Sequence, residues 1–419
     1  MVVLKQRDRE WVKERRRRWQ DRLVELTPYV RGLIDRVRER GDEAVRSITK
    51  DVDGIELRDF RYTLHEPVVD DDFKEAVELA VGNIEKFSKA ALDDGFMVDE
   101  AGKMMGQRLV PVDRVGVYVP GGRAPYPSTL IMAVVPARVA GVKEIAVATP
   151  PDENGEISDY VLYVAKRLGI NELYRVGGVP AIAAFAYGTQ SIRPVDVIAG
   201  PGNIYVTLAK KLVLGDVGVD MIAGPSEVVV IADRYADPDL VALDMLAQAE
   251  HDPQASAILI SDSRELVLNV SDSLTKFLSR YEHSSTARAS IENEGGAILV
   301  EDLVEAVDVA NEIAPEHLEL MVDSPVALLN RVKNAGAVFL GRTAPEAMGD
   351  YVAGPDHILP TMGSSKFSSG VSVHTFLKRI NYLYYSDIGI LKEGNYAVKF
   401  AEVEGFHFHA MSVKERLKR

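Results

Sequence analysis

The chain has no cysteine among its 419 residues. That excludes disulfides, thiolate-held zinc and a cysteine nucleophile, and it fits a reducing cytoplasm. Positive charge is in short supply too: 49 lysines and arginines stand against 63 aspartates and glutamates, a net charge of −14. Such an excess repels phosphate backbones, so no nucleic-acid partner is expected. Long apolar runs are missing as well. The longest, Leu130 to Val142, is broken by Pro136 and Arg138, so neither a membrane span nor a signal peptide is read. Histidine is scarce, with eight residues, which makes its placement among carboxylates informative.

What remains is an ordinary globular composition, 47% hydrophobic and 27% charged, in a length that suits about two to three domains. The basic run Arg15 to Arg18 lies between Trp11 and Trp19 and is interleaved with Glu10, Glu14 and Asp21. It reads as the polar side of an N-terminal helix, not as an arm for nucleic acid or membrane.

The expected fold class is α/β, with two Rossmann-like domains on parallel sheets, a helical N-terminal segment and a small helical C-terminal tail. Residues 1–108 are expected to be helical and to pack on the second Rossmann-like domain, with helices at the charged start, around Tyr29 to Asp51 and from Asp71 to Leu92. Strands alternate with helices over 109–225, at Val115 to Val119, Glu144 to Thr149, Glu172 to Val176 and Val195 to Ala199. A second alternating series over 226–363 has strands at Val228 to Ala232, Ala257 to Ser261, Ala297 to Val300, His317 to Val322 and Ala337 to Leu340. This spacing predicts βαβ units. Residues 364–419 read as the tail, mainly helical.

Several residues could carry chemistry. Gln248 and His251, in a stretch that reads as helix, are three apart and so share a face on which amide and imidazole can meet one metal ion. A lone helical histidine is ordinarily structural, so further ligands are needed. Glu316 and His317 form an adjacent acid/base pair in a turn-like segment. Gly200-Pro201-Gly202-Asn203 ends a strand and opens a helix whose free amides suit an anion. Pro120-Gly121-Gly122, after Tyr118, and Gly224-Pro225-Ser226 are similar strand-to-helix turns, or simply tight turns. Asp350 and His357 sit in loops, and Glu404, His407 and His409 lie within one and a half helical turns of each other in the tail.

Seven segments in order, VGVYVPGG, GPGNIYVT, AGPSEVVVIAD, QAEHD, APEHLE, GDYVAGPDHILPT and EGFHFHA, make the chain resemble the histidinol dehydrogenase family over nearly its whole length. The resemblance implies a cytoplasmic homodimer using NAD and one Zn2+ per subunit to oxidise L-histidinol through the aldehyde to L-histidine, the last step of histidine biosynthesis. It implies Gln248, His251, Asp350 and His409 as zinc ligands, with the tail reaching the partner's site. Glu316 and His317 would be the acid/base residues. Ser226, Gln248, His251, His317, Asp350, Glu404 and His409 would meet the substrate, and Tyr118 and Asn203 would contact NAD in the 109–225 domain. A third such position, a glutamine in the family, is Pro180 here, and proline cannot supply an amide's hydrogen bonds. Without cysteine, the hydrated aldehyde is the expected route. A zinc hydrolase using Glu316 and metal-bound water is the rival class, and it would need no nucleotide.

Overall fold

The computed structural model describes residues 4–121, 124–281 and 284–418. It comprises two units, one of Met1–Ala91 with Asp113–Phe376 and the other of Leu92–Val112 with Leu377–Arg419.

Asp8 accepts the Trp11 N–H at 2.8 Å and starts α1 (Arg9–Arg40). A break was expected before Tyr29, yet α1 continues through Pro28. A buried stripe of Trp19, Leu23, Val30, Leu33, Ile34 and Val37 runs along it, and burial outweighs the one backbone bond that proline removes. Helices α2 (Asp42–Asp53) and α3 (Asp71–Ala90) follow. Then, where the helical segment was expected to continue, come β1 (Phe96–Glu100) and β2 (Lys103–Pro111). A two-residue turn with Gly102 at φ 90° joins them, and Glu100 pairs with Lys103. Glycine at positive φ in so short a loop specifies a hairpin.

The first parallel sheet contains β3 (Arg114–Tyr118), β4 (Glu144–Thr149), β5 (Glu172–Arg175), β6 (Val197–Ala199) and β7 (Gly218–Val219), in the order β5-β4-β3-β6-β7. Its connecting helices are α4 (Pro127–Val139), α5 (Asp159–Arg167), α6 (Gly178–Tyr187) and α7 (Ile204–Val213). The second parallel sheet repeats this plan as β10-β9-β8-β11-β12. Its strands are β8 (Glu227–Ala232), β9 (Ser256–Ser261), β10 (Gly296–Leu299), β11 (His317–Met321) and β12 (Ala337–Leu340). Helices α8 (Pro238–Ala249), α9 (Arg264–Arg280), α10 (Ser285–Glu294), α11 (Leu303–Ile313), α12 (Pro325–Leu329) and α13 (Glu346–Tyr351) complete it.

Packing of the N-terminal helices departs from expectation. The stripe of α1 joins Ala44, Val45 and Ile48 of α2 in one core with Ile182 and Phe185 of α6 and Leu208 of α7, all on the first sheet. Among the described residues Trp11 and Val12 of α1 pack against the core of the second, and Leu4, ahead of the helix, lies within it. The apolar stripe is continuous from Trp19 onward, and it follows the larger apolar surface.

The second unit holds β1, β2 and β13 (Leu377–Tyr385) as an antiparallel sheet in the order β1-β2-β13, with α14 (Asp387–Val403) and α15 (His407–Leu417). The tail is mainly helical, as expected, with one strand, β13, that was not. The alternation of Leu377, Arg379, Asn381 and Leu383 had no visible partner in sequence, because that partner, β2, lies far upstream. Among the described residues no helix is long and apolar enough to cross a membrane.

Gly200 stands at φ 117°, where a Cβ would lie 2.0 Å from the Tyr118 carbonyl oxygen. Gly200→Ala should therefore cost on the order of 1–3 kcal/mol. Gly32 lies inside α1 with nothing within 4 Å of a built Cβ, and Gly32→Ala should stabilise by about 0.5–1 kcal/mol. Urea denaturation midpoints should move in opposite directions for the two variants; equal midpoints would refute this account.

Candidate active site

From β7 the chain passes through residues 220–226 directly into β8. The carboxyl edge of the first sheet therefore feeds the amino edge of the second. Between them lies a cavity of about 80 Å3, lined on one side by Pro201, Gly202 and Lys210 and on the other by Ser226, Glu316 and His357.

On the first side Tyr118 closes β3 and is buried. Its hydroxyl accepts the Gly178 N–H at 3.1 Å, and burial pushes its pKa up to about 12. Asn203 is the N-cap of α7, its Oδ1 accepting the N–H groups of Tyr205 and Val206 at 3.1 Å each. Two amides that were candidates for an anion are thus already bonded. The preceding loop is tied down from below: Asp220 accepts the Gly200 N–H at 2.8 Å and pairs with buried Lys210, which donates to the Gly200 carbonyl at 3.0 Å. Pro180 is the third residue of α6, where a helix has no use for an N–H. Pro120 and Gly121 follow β3 as expected, and Gly122 lies outside the described residues.

On the other side Glu316 immediately precedes β11 and His317 opens it. Glu316 Oε2 accepts the Glu227 N–H at 3.0 Å, and the neighbouring Ser226 lines the same cavity. His317 Nδ1 lies 3.2 Å from Gln248 Oε1. An amide oxygen only accepts, which assigns the proton to Nδ1 and leaves a lone pair on Nε2. That nitrogen has no hydrogen-bond partner among the described residues and sits 3.8 Å from Asp350 Oδ1. Gln248 Nε2 is 3.4 Å from His251 Nδ1. The structure thus brings together Ser226, Gln248, His251, Glu316, His317 and Asp350.

Some local readings need correction. Helix α8 ends at Ala249, and His251 lies in the turn beyond it; the Pro253 that follows discourages further helix. Gly224-Pro225-Ser226 leads into a strand, not a helix. Asp350 is helical rather than in a loop. Glu404 caps α14 and Gly405, at φ 77°, breaks the helix, so His407 and His409 belong to the next one. Both Glu404 and His409 are exposed residues of the second unit.

Sequence reasoning missed Glu346. It lies one turn before Asp350 on α13, 3.6 Å from His317 Nδ1, and neither of its carboxylate oxygens has a hydrogen-bond partner among the described residues. The i, i+4 spacing of Glu346 and Asp350 was the available signal. His357 also joins the group, with Nδ1 2.8 Å from the Asp350 carbonyl oxygen and Nε2 3.3 Å from Thr129 Oγ1.

Burial governs the electrostatics. It raises Glu316 and Glu346 well above the usual carboxylate range and Asp350 to about 7. Burial, with His357 and His251 nearby, lowers His317 to about 3, and His357 falls to about 4. Carboxyls forced toward neutrality around an unprotonated imidazole lack a cation. Donor atoms of His317, Glu346 and Asp350 lie within 4.8 Å of one another. The unsatisfied oxygens of Glu346 and the raised carboxyl of Asp350 make this a nitrogen- and oxygen-rich surrounding that suits a divalent metal such as zinc beside Asp350.

A model of the family described as histidinol dehydrogenase matches residues 15–417. The chain is 46% identical to the histidinol dehydrogenase of Geobacillus kaustophilus (strain HTA426), over 92% of its own length and 93% of the relative's. It is 48% identical to that of Aquifex aeolicus (strain VF5), over 92% and 91%. Its fold matches the crystal structure of histidinol dehydrogenase from Elizabethkingia anophelis with a TM-score of 0.90 and 35% identity, covering 94% of this chain and 92% of that one. Sequence and fold agree: the chain belongs to the histidinol dehydrogenase family.

Proposed function

We propose that the protein oxidises L-histidinol to L-histidine in two steps, consuming two NAD+ and one water. The observation that carries this is the buried Glu316–His317 pair, with His317 Nε2 unprotonated and unpartnered beside Asp350. In the first step His317 Nε2 takes the hydroxyl proton of the alcohol as the aldehyde forms. In the second, Glu316 takes a proton from water as its oxygen bonds the aldehyde carbon, and His317 takes the next from the hydrate, leaving the carboxylate. Zinc would supply a Lewis acid that orients the substrate's nitrogens, and NAD+ would accept one hydride in each step. Gln248, His251 and Asp350, with the partner subunit's His409, are the residues that would hold the metal. Ser226 and the partner subunit's Glu404 would add substrate contacts, and Tyr118 and Asn203 would line the cofactor's side.

The second unit supports a homodimer. Its apolar core consists of Val398, Ala401 and Ala410 with Val413 and Leu417 beside them, while Phe96, Leu383, Leu391, Tyr396, Phe400, Phe406 and Phe408 are exposed. So much exposed apolar surface marks an interface, and the homodimer is the reading that places His409 and Glu404 at a partner's site. A cytoplasmic location belongs to the same reading.

Glu316→Gln should slow aldehyde-to-acid turnover about 10²- to 10⁴-fold, followed as NADH absorbance with L-histidinaldehyde supplied. An unchanged rate rules out Glu316 as the base, and an absence of substrate-dependent NADH favours the hydrolase instead. Mixing His251→Ala with His409→Ala chains, each inactive alone, tests the shared site. Random exchange should restore about a quarter of wild-type activity, because half of the dimers are mixed and each of those has one intact site; no recovery means the tail acts within its own chain.

Metal removal should alter how stability depends on pH. Asp350 stands near 7 against an ordinary 3.8, and Glu316 and Glu346 shift the same way. A carboxyl raised on folding stabilises below its unfolded pKa, and that contribution is lost as pH rises through the folded value. The chelated protein should therefore show a Tm that falls between pH 5 and about 8, while the zinc-loaded protein does not lose Tm there. Parallel Tm profiles would exclude a metal at these carboxyls.

A further inference from the structure

The basic run Arg15–Arg18 is distant in sequence from every residue of the site, yet Arg15 is buried. Its Nη1 lies 2.6 Å from Glu227 Oε2 and 3.0 Å from Met362 Sδ. Its Nε is 3.3 Å from Glu294 Oε2, and its Nη2 donates to the Gln254 carbonyl at 3.5 Å. Arg18, by contrast, is half-exposed and only shares Glu294.

Glu227 is where this matters. Its side chain takes the guanidinium on one oxygen and the Met362 N–H, at 2.8 Å, on the other. Its main-chain N–H is the donor to Glu316 Oε2 at 3.0 Å. One residue thus joins a helix of the N-terminal segment to the acid/base carboxyl. A second observation agrees: Met362 has φ 54°, a left-handed backbone that a side chain keeps only where its surroundings impose it. Here Glu227 holds its N–H and Arg15 its sulfur.

We propose that Arg15 is a positioning residue for aldehyde oxidation, fixing the Ser226–Glu227 backbone through the Glu227 carboxylate so that its N–H holds Glu316. The inference rests on the reading that Glu316 activates water. Lysine keeps the charge but not the fork that serves Glu227, Glu294 and Gln254 together, so it should rescue in part.

The test uses the zinc-loaded full-length enzyme with L-histidinaldehyde or L-histidinol and NAD+. Arg15→Met should lower kcat for the aldehyde step about tenfold or more, with the KM for L-histidinol and the zinc content within about twofold of wild type. Arg15→Lys should fall between them, and amide hydrogen exchange at Glu227 should speed up in the same order. Added to Glu316→Gln, Arg15→Met should slow the aldehyde step no further, because both act through one group. An unchanged aldehyde kcat, a further loss in the double variant, or KM, zinc content and kcat failing together would overturn the proposal. If Arg15→Met does not fold, Arg15→Lys decides: wild-type kcat and Glu227 exchange would overturn it. If Glu316→Gln leaves the aldehyde step intact, the reading of Glu316 fails and this inference with it. If Glu316→Gln slows that step and Arg15→Met does not, the inference alone fails.

Discussion

Buried carboxyls must be either neutral or matched by positive charge, and the site is arranged around that constraint. Glu316, Glu319 and Glu346 are almost wholly buried beside His317, and among the described residues the ion-pair contacts of Glu346 and Asp350 are with histidine alone. The loss of water raises every one of them, and neighbouring carboxylates raise Glu316, Glu319 and Glu346 further. The imidazoles cannot relieve this by protonating, because burial lowers their pKa in turn. The arrangement is therefore unfavourable by itself, and the protein sustains it with rigid attachments. Glu319 Oε1 accepts the Glu346 N–H at 2.7 Å, tying α13 to β11, and Glu227 ties Glu316 to β8. A divalent ion would reverse the electrostatics without moving the scaffold.

The fold explains why chemistry gathers here. Open α/β sheets bind ligands beyond the carboxyl ends of their strands, where the strand order reverses. The first sheet follows this, with Tyr118 and Gly200 flanking the switch between β3 and β6. The second does the opposite: Ser226 and His317 stand at amino ends, and Gln248 at the carboxyl end of α8. The short 220–226 connection brings the two edges to one cavity. In the proposed reading one half then presents the cofactor while the other presents acid, base and metal ligands.

Much of this was legible in sequence, for identifiable reasons. The alternation of apolar runs with helical spacing located nine strands of the two parallel sheets to within a residue or two, β4 at both ends, because strands buried on both faces are near-continuous apolar runs; the two-residue β7 is too short to leave such a run and was not read. Gln248, His251, Glu316 and His317 were legible as candidates from their spacing, but on that ground alone a structural role was the ordinary reading, and only the resemblance to the family gave them roles. Glu346 was not, because its role depends on α13 folding back onto β11. Nor was the hairpin of β1 and β2, whose stabilising partner is more than half the chain away. Arg15 was read as part of a solvated face, which is what basic runs ordinarily are; only the tertiary fold reveals Glu227 beneath it.

That long-range pairing has a further consequence during synthesis. The β1–β2 hairpin leaves the ribosome early, but Leu377, the residue that pairs with Pro111, emerges only near the end. At about 5–20 residues per second the hairpin waits on the order of tens of seconds for its third strand. Until then Met97 and Val98 have no complete sheet to belong to, and a two-stranded hairpin is at best marginal in water. The three-stranded sheet of the second unit therefore cannot close before Tyr385, the last residue of β13, has been added.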